Sequence, residues 1–188
     1  SKLDSMHMDK WGVHGRGMAL YSIAVNAESA EIVASDAGLG SAFVVETNLE
    51  KLPEKTDQSS FPTFELNEAG TVSVRGPKNI LRTACEFAIE SRTSVNVFMG
   101  SSTDIAATLF AFGLGSLSAA DRLAGGNDQK LPVCKRLSAC ASLSGFHQVA
   151  ESLGLLMSER SARRILDGQI APLPPLLSKI KIEGLQAS

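Results

Sequence analysis

Two glycines one residue apart, in His14-Gly15-Arg16-Gly17-Met18-Ala19-Leu20, stand directly ahead of an apolar run at helical spacing: Met18, Leu20, Ile23, Ala24 and Ala27. Glycine reaches positive φ and leaves no side chain between the backbone amides and a ligand. A helix that starts behind such a loop offers free N–H groups and the positive end of its dipole, which suits an anion. Patterning then changes to strand: Glu31-Ile32-Val33-Ala34-Ser35, a glycine-rich turn Asp36-Ala37-Gly38-Leu39-Gly40, and Ser41 to Glu46. This order predicts a helix over Met18–Ala27 packed on an antiparallel hairpin.

The stretch Gly15-x-Gly17-Met18-x-Leu20, followed by about ten helical residues and "EIVAS–DAGLG–SAFVVE", resembles the end of the ATP-binding domain of the GHKL superfamily. It is closest to the histidine-kinase branch, whose second glycine box reads G-x-G-L-x-L. Met18 stands where leucine is usual, a swap of similar volume. The resemblance implies that Gly15, Arg16, Gly17 and Met18 contact the nucleotide phosphates, that Leu20 is packing, and that Ser1 to Val13 end a mobile ATP lid. In that family the helix whose Asn holds Mg²⁺, a catalytic acid and the Asp-x-Gly-x-Gly that reads adenine all lie upstream of this box. Asp36–Gly40 is the hairpin turn despite its similar spelling. The resemblance therefore implies the C-terminal part of a longer protein, in which ATP and Mg²⁺ are held jointly with an upstream half of the domain.

Beyond Thr47 the composition turns charged and proline-bearing, from Leu49 to Ser60, as in a linker. A second unit follows. Phe61–Leu66 and Thr71–Val74 read as strands around the turn Asn67–Gly70, Pro77 suits a helix start, and Ile80, Leu81, Ala84, Cys85, Ala88 and Ile89 mark a helix face ending at Glu90. Ser94–Met99 reads as a strand, Gly100–Asp104 as a Ser/Thr/Asp helix cap, and Ile105–Phe112 as a helix. From Ser118 the pattern is helical: Ala119–Ala124, Pro132–Leu143, Phe146–Leu155 and Glu159–Leu166. Lys179–Ile182 alternates, as an edge strand or a tail would. The expected fold class is α+β, in four parts: 1–48, the end of a GHKL-like domain; 49–60, a linker; 61–117, a small α/β unit; and 118–188, a helical module.

Within that module, Val149–Leu155 and Ser158–Leu166 resemble a helix-turn-helix: a small Ala in the first helix, Gly at the turn, and a Ser-capped second helix. In such a motif Arg160, Ser161, Arg163 and Arg164 are the groove- and phosphate-facing positions. Charge placement permits a nucleic-acid partner for this half. Residues 118–170 hold 7 Lys and Arg against 5 Asp and Glu, whereas residues 1–117 hold 9 against 14.

Hydrophobic residues make up 44% and charged residues 20%, so a packed core rather than disorder is expected. The 3 cysteines, Cys85, Cys134 and Cys140, form no C-x-x-C pair, which points to reduced thiols and a cytoplasmic setting. No apolar run nears the roughly 20 residues of a membrane span. His7 and His14 each lack a carboxylate–histidine pairing of the kind a ligand or base would need, and read as exposed.

The function expected from all this belongs to the intact protein: ATP binding, with kinase or ATPase activity coupled to a regulatory domain in bacterial signal transduction. This chain alone is expected to be inactive. The alternative is a bacterial transcription regulator that binds DNA through its C-terminal module. A third reading is a homo-oligomerising fragment with no ligand.

Overall fold

The computed structural model describes residues 18–51, 59–67, 70–120, 131–180 and 182–183. Its class is α+β, as expected. The first elements are α1 (Met18–Asn26), β1 (Ser29–Asp36) and β2 (Gly40–Glu46), the two strands pairing antiparallel from Ser29↔Glu46 to Asp36↔Gly40. Gly38 and Gly40, at φ 75 and 95, supply the left-handed backbone that this short turn needs. The pairing slips between Ile32↔Phe43 and Ala34↔Ala42, leaving Val33 as an extra residue. Because side chains alternate with a period of two, this bulge puts Ala34 on the face of Ala42 and Val44 instead of that of Ile32.

A short 3₁₀ turn, Leu49–Lys51, opens the stretch read as a linker. Then come β3 (Thr63–Leu66) and β4 (Val72–Arg75), antiparallel, and α2 (Ile80–Glu90). The helix begins at Ile80, beyond Pro77. Its cap is the buried Asn79, whose Oδ1 accepts from Arg82 N at 2.8 Å while its Nδ2 donates to the Ser60 carbonyl at 2.8 Å. α3 (Ser102–Ser116) starts from a full capping box. Ser101 Oγ accepts from Asp104 N at 3.2 Å, and Asp104 Oδ2 accepts from Ser101 N at 3.1 Å and from Ser101 Oγ at 2.7 Å. The cap expected at Gly100–Asp104 is therefore present, and the helix runs four residues past Phe112.

The strand expected over Ser94–Met99 is corrected. This segment belongs to no sheet, because the free edge of β3 is taken by β5 (Ile182–Glu183), which pairs with it in parallel. Residues 95–100 still run beside other chain, with Val97 O accepting from Leu176 N at 2.7 Å. Val97 and Met99 pack inward with Phe98 exposed between them, while Val95 is exposed as well. What is missing is the ladder. Lys179 ends a 3₁₀ turn, Leu176–Lys179, that delivers the chain to β5.

In the last part, α4 (Val133–Arg136) tightens into a 3₁₀ turn, Leu137–Ala139. It does not continue to Leu143, because Ser142 caps the next helix with its Oγ accepting from Gly145 N at 3.1 Å. That helix is α5 (Leu143–Ser152), starting three residues ahead of Phe146 and ending before the Leu153–Gly154 corner. α6 (Glu159–Leu166) has the expected bounds. The helix expected over Ala119–Ala124 falls largely outside the described residues.

Two apolar clusters hold the fold, and neither follows chain order. One joins Ala106 and Ala107 of α3 to Leu137, Phe146, Val149 and Ile165, with Ala34 and Ala42 of the hairpin packed against it. The other joins Phe64, Cys85 and Ala88 to Leu176, with Val97, Met99, Leu177 and Ile180 around them. Among the described residues, no helix is long and apolar enough to cross a membrane.

Candidate functional site

Of the four residues read as phosphate contacts, Gly15, Arg16 and Gly17 lie outside the described residues, as do the lid stretch Ser1–Val13 and both His7 and His14. Met18 is described: it is the first residue of α1. The helix thus starts directly behind the glycine pair, with the N–H groups of its first turn unused by the helix itself. That turn contains no Asp or Glu to oppose an anion. At the other end, Asn26 Nδ2 donates to Ser22 O at 2.8 Å, so this amide serves its own helix. Glu28 N donates to Glu46 O at 2.7 Å and ties the exit of α1 to the hairpin.

The hairpin has two unlike faces. Ala34, Ala42 and Val44 turn toward the helices. Ile32, Phe43 and Val45 stand open on the other face, each about half exposed. On α1, Ile23 and Val25 are exposed as well.

The helix-turn-helix-like residues come together as α5, a six-residue corner from Leu153 to Ser158, and α6. Ala150 is fully buried between the helices, and Gly154 takes a left-handed φ of 74. Ser158 Oγ accepts from Ser161 N at 3.1 Å and lies 3.0 Å from Ser161 Oγ, so Ser161 is committed to the cap. Ala162 and Ile165 face the core, which leaves Arg160, Arg163 and Arg164 exposed. Arg163 pairs with Glu159 at 3.9 Å, but both ends are well exposed and the pair adds little stability. Arg163 and Arg164 also sit in the last helical turn, where cations complement the dipole.

His147 was not singled out in the sequence, and no local signal marks it. Its Nε2 lies 2.9 Å from Met157 O, so it pins the corner between the two helices. With Leu143, Ser144, Gln148, Glu151 and Glu159 it lines a cleft of about 510 Å³. Of the two glutamates, Glu159 is also the partner of Arg163. Among the described residues, no group of three or more His, Cys, Asp or Glu is arranged to hold a metal ion.

Compared with protein-family models, curated proteins and solved structures, the chain matches none of them.

Proposed function

We propose that this chain carries the phosphate-facing end of a GHKL-type, histidine-kinase-like ATP-binding domain, joined to a regulatory helical module. The observation that carries the reading is the succession of a helix beginning at Met18, directly behind Gly15-Arg16-Gly17, and an antiparallel hairpin turning at Asp36–Gly40. The open apolar face of Ile32, Phe43 and Val45 supports it too, as surface for an upstream half of the same domain to cover. Amides at the glycine-loop helix start capture phosphate, and closure of the lid excludes water. ATP and Mg²⁺ are completed by groups upstream, so the intact protein, a cytoplasmic bacterial signalling protein with kinase or ATPase activity, binds and uses the nucleotide. Charge-assisted amide contacts contribute about 1.5–3 kcal/mol each. Ordering costs of about 4–15 kcal/mol oppose them. The 188-residue chain therefore binds ATP no better than about 1 mM. Calorimetry with MgATP tests this: millimolar or no binding to the chain, tight binding to the intact protein, and loss on Gly17→Val in the latter. Micromolar binding to the chain itself would overturn the division of the site.

A second reading is favoured by one observation, the exposure of Arg160, Arg163 and Arg164 on a Ser-capped α6 whose opposite face is buried. In that reading the module binds DNA, with the arginines at phosphates or base edges. A mobility shift that weakens steeply with salt, and weakens again in Arg163→Ala/Arg164→Ala, supports it. Salt-independent or absent binding removes it.

A further inference from the structure

We infer that the β1–β2 hairpin is the seat on which the α5–α6 corner is held, so that the orientation of α6 is set by the front of the chain. Three contacts about a hundred residues apart in sequence converge there. Gly154, at the corner, presses its backbone against Val44 so closely that a Cβ at Gly154 would overlap Val44 Cγ2. At the hairpin turn, Leu39 O accepts from Val133 N at 2.8 Å. Beside it Asp36 Oδ2 accepts from Arg136 Nη2 at 2.9 Å. The Arg136 side chain is only 11% exposed, and its Nε donates to Leu131 O at 3.1 Å. The Asp36 end is 41% exposed, so the pair is shielded on its arginine side only and serves chiefly to fix where that guanidinium lies. The bulge at Val33 completes the seat by turning Ala34 onto the packed face.

These contacts hold the helical module by its corner, from which α6 departs, and by the start of α4. The inference stands on them alone and needs no nucleotide. It makes the hairpin an intramolecular docking surface whose partner is the helix-turn-helix-like module.

Hydrogen exchange followed by mass spectrometry on the 188-residue chain, without ligand, tests it. Val44→Ala removes the packing contact, and Asp36→Ala removes the ion pair, leaving the Arg136 guanidinium without that carboxylate but with its bond to Leu131 O. Both are expected to speed exchange of the amides of α5 and α6 at least fivefold, while those of β3, β4 and α2 stay unchanged. Unchanged α5–α6 protection in both variants would overturn the inference, because the module would then hold itself. Equal loss in the two regions would also overturn it, because the hairpin would then be general core. The ATP titration described above fails or succeeds separately from either outcome.

Discussion

Ser138 fills the space that Gly113 leaves on the side of α3. Its Oγ donates to Phe110 O at 2.7 Å, and a Cβ on Gly113 would fall 2.6 Å from Ser138 Cβ and closer still to its hydroxyl. The 3₁₀ turn at Leu137–Ala139 and the mid-helix glycine are therefore one arrangement, which lets two backbones approach. Gly113→Ala gains about 1 kcal/mol of helix propensity. Overpacking costs about 1–3 kcal/mol, and the site has no flexible end to move aside. A net loss in urea unfolding is expected, reduced when Ser138→Gly is added. A Gly113→Ala variant more stable than the parent would contradict this close approach.

Phe146 is fully buried and meets Phe110 edge-on, with ring centroids 5.7 Å apart. Phe146→Ala is expected to cost about 3–5 kcal/mol, the range for deleting a large core aromatic. Phe146→Leu keeps most of the volume and costs less. Denaturant midpoints of the two variants check the order.

The capping box of α3 has a pH signature. Hydrogen bonds from the Ser101 hydroxyl and backbone N–H hold the Asp104 carboxyl below its ordinary 3.8, with Lys179 adding a smaller favourable charge. A carboxylate whose folded pKa is depressed stabilises the fold above the unfolded value, and loses that contribution as pH falls through the folded one. The first turn of α3 should thus stay formed down to pH 3.8 and loosen only below it. Ser101→Ala should move the Asp104 titration, followed by NMR, upward toward 3.8. No movement would mean that the hydroxyl does not hold the carboxylate.

Burial pushes the Cys140 thiol from 9.0 to about 11, and its Sγ lies 3.4 Å from Arg136 O, which accepts its S–H. The stability from keeping this group neutral is whole below pH 9 and is lost as pH rises through about 11. Alkylation at Cys140 should be slow at pH 8 and keep rising to about pH 11, because only the thiolate attacks. Mass-mapped iodoacetamide labelling against pH measures this. A plateau near pH 9 would contradict the burial.

What could be read ahead of the structure was what is local. α6 was legible because Ser158 is a strong cap and Ala162 and Ile165 share a face opposite the arginines. The hairpin was legible because two glycines sit where positive φ is needed. Residues 94–99 misled because β-branched residues favour extended backbone but do not show whether a neighbouring strand exists. The end of α4 misled because Ser142 reads equally as a helix residue and as a cap. The bulge at Val33 and the pairing of Asp36 with Arg136 leave no local mark, since both depend on a partner far along the chain. For the candidate sites, helical spacing was enough to show the α6 face. Nothing in spacing led to His147, whose partner is the carbonyl of Met157 across the corner.

The parallel pairing of β5 with β3 bears on the order in which the molecule can come into being. Phe64↔Ile182 joins positions 118 residues apart in a chain of 188, and the buried Leu176 belongs to the same cluster as Phe64 and Cys85. During synthesis the ββα unit therefore waits, with one strand edge open and one side of its core unfilled, until the chain near residue 180 has left the ribosome. The cost of closing so long a loop grows only slowly with its length, but the delay does not. For that interval β3 is an unprotected edge. A ribosome stalled shortly before Leu176 would hold out a strand ready to pair with the wrong neighbour.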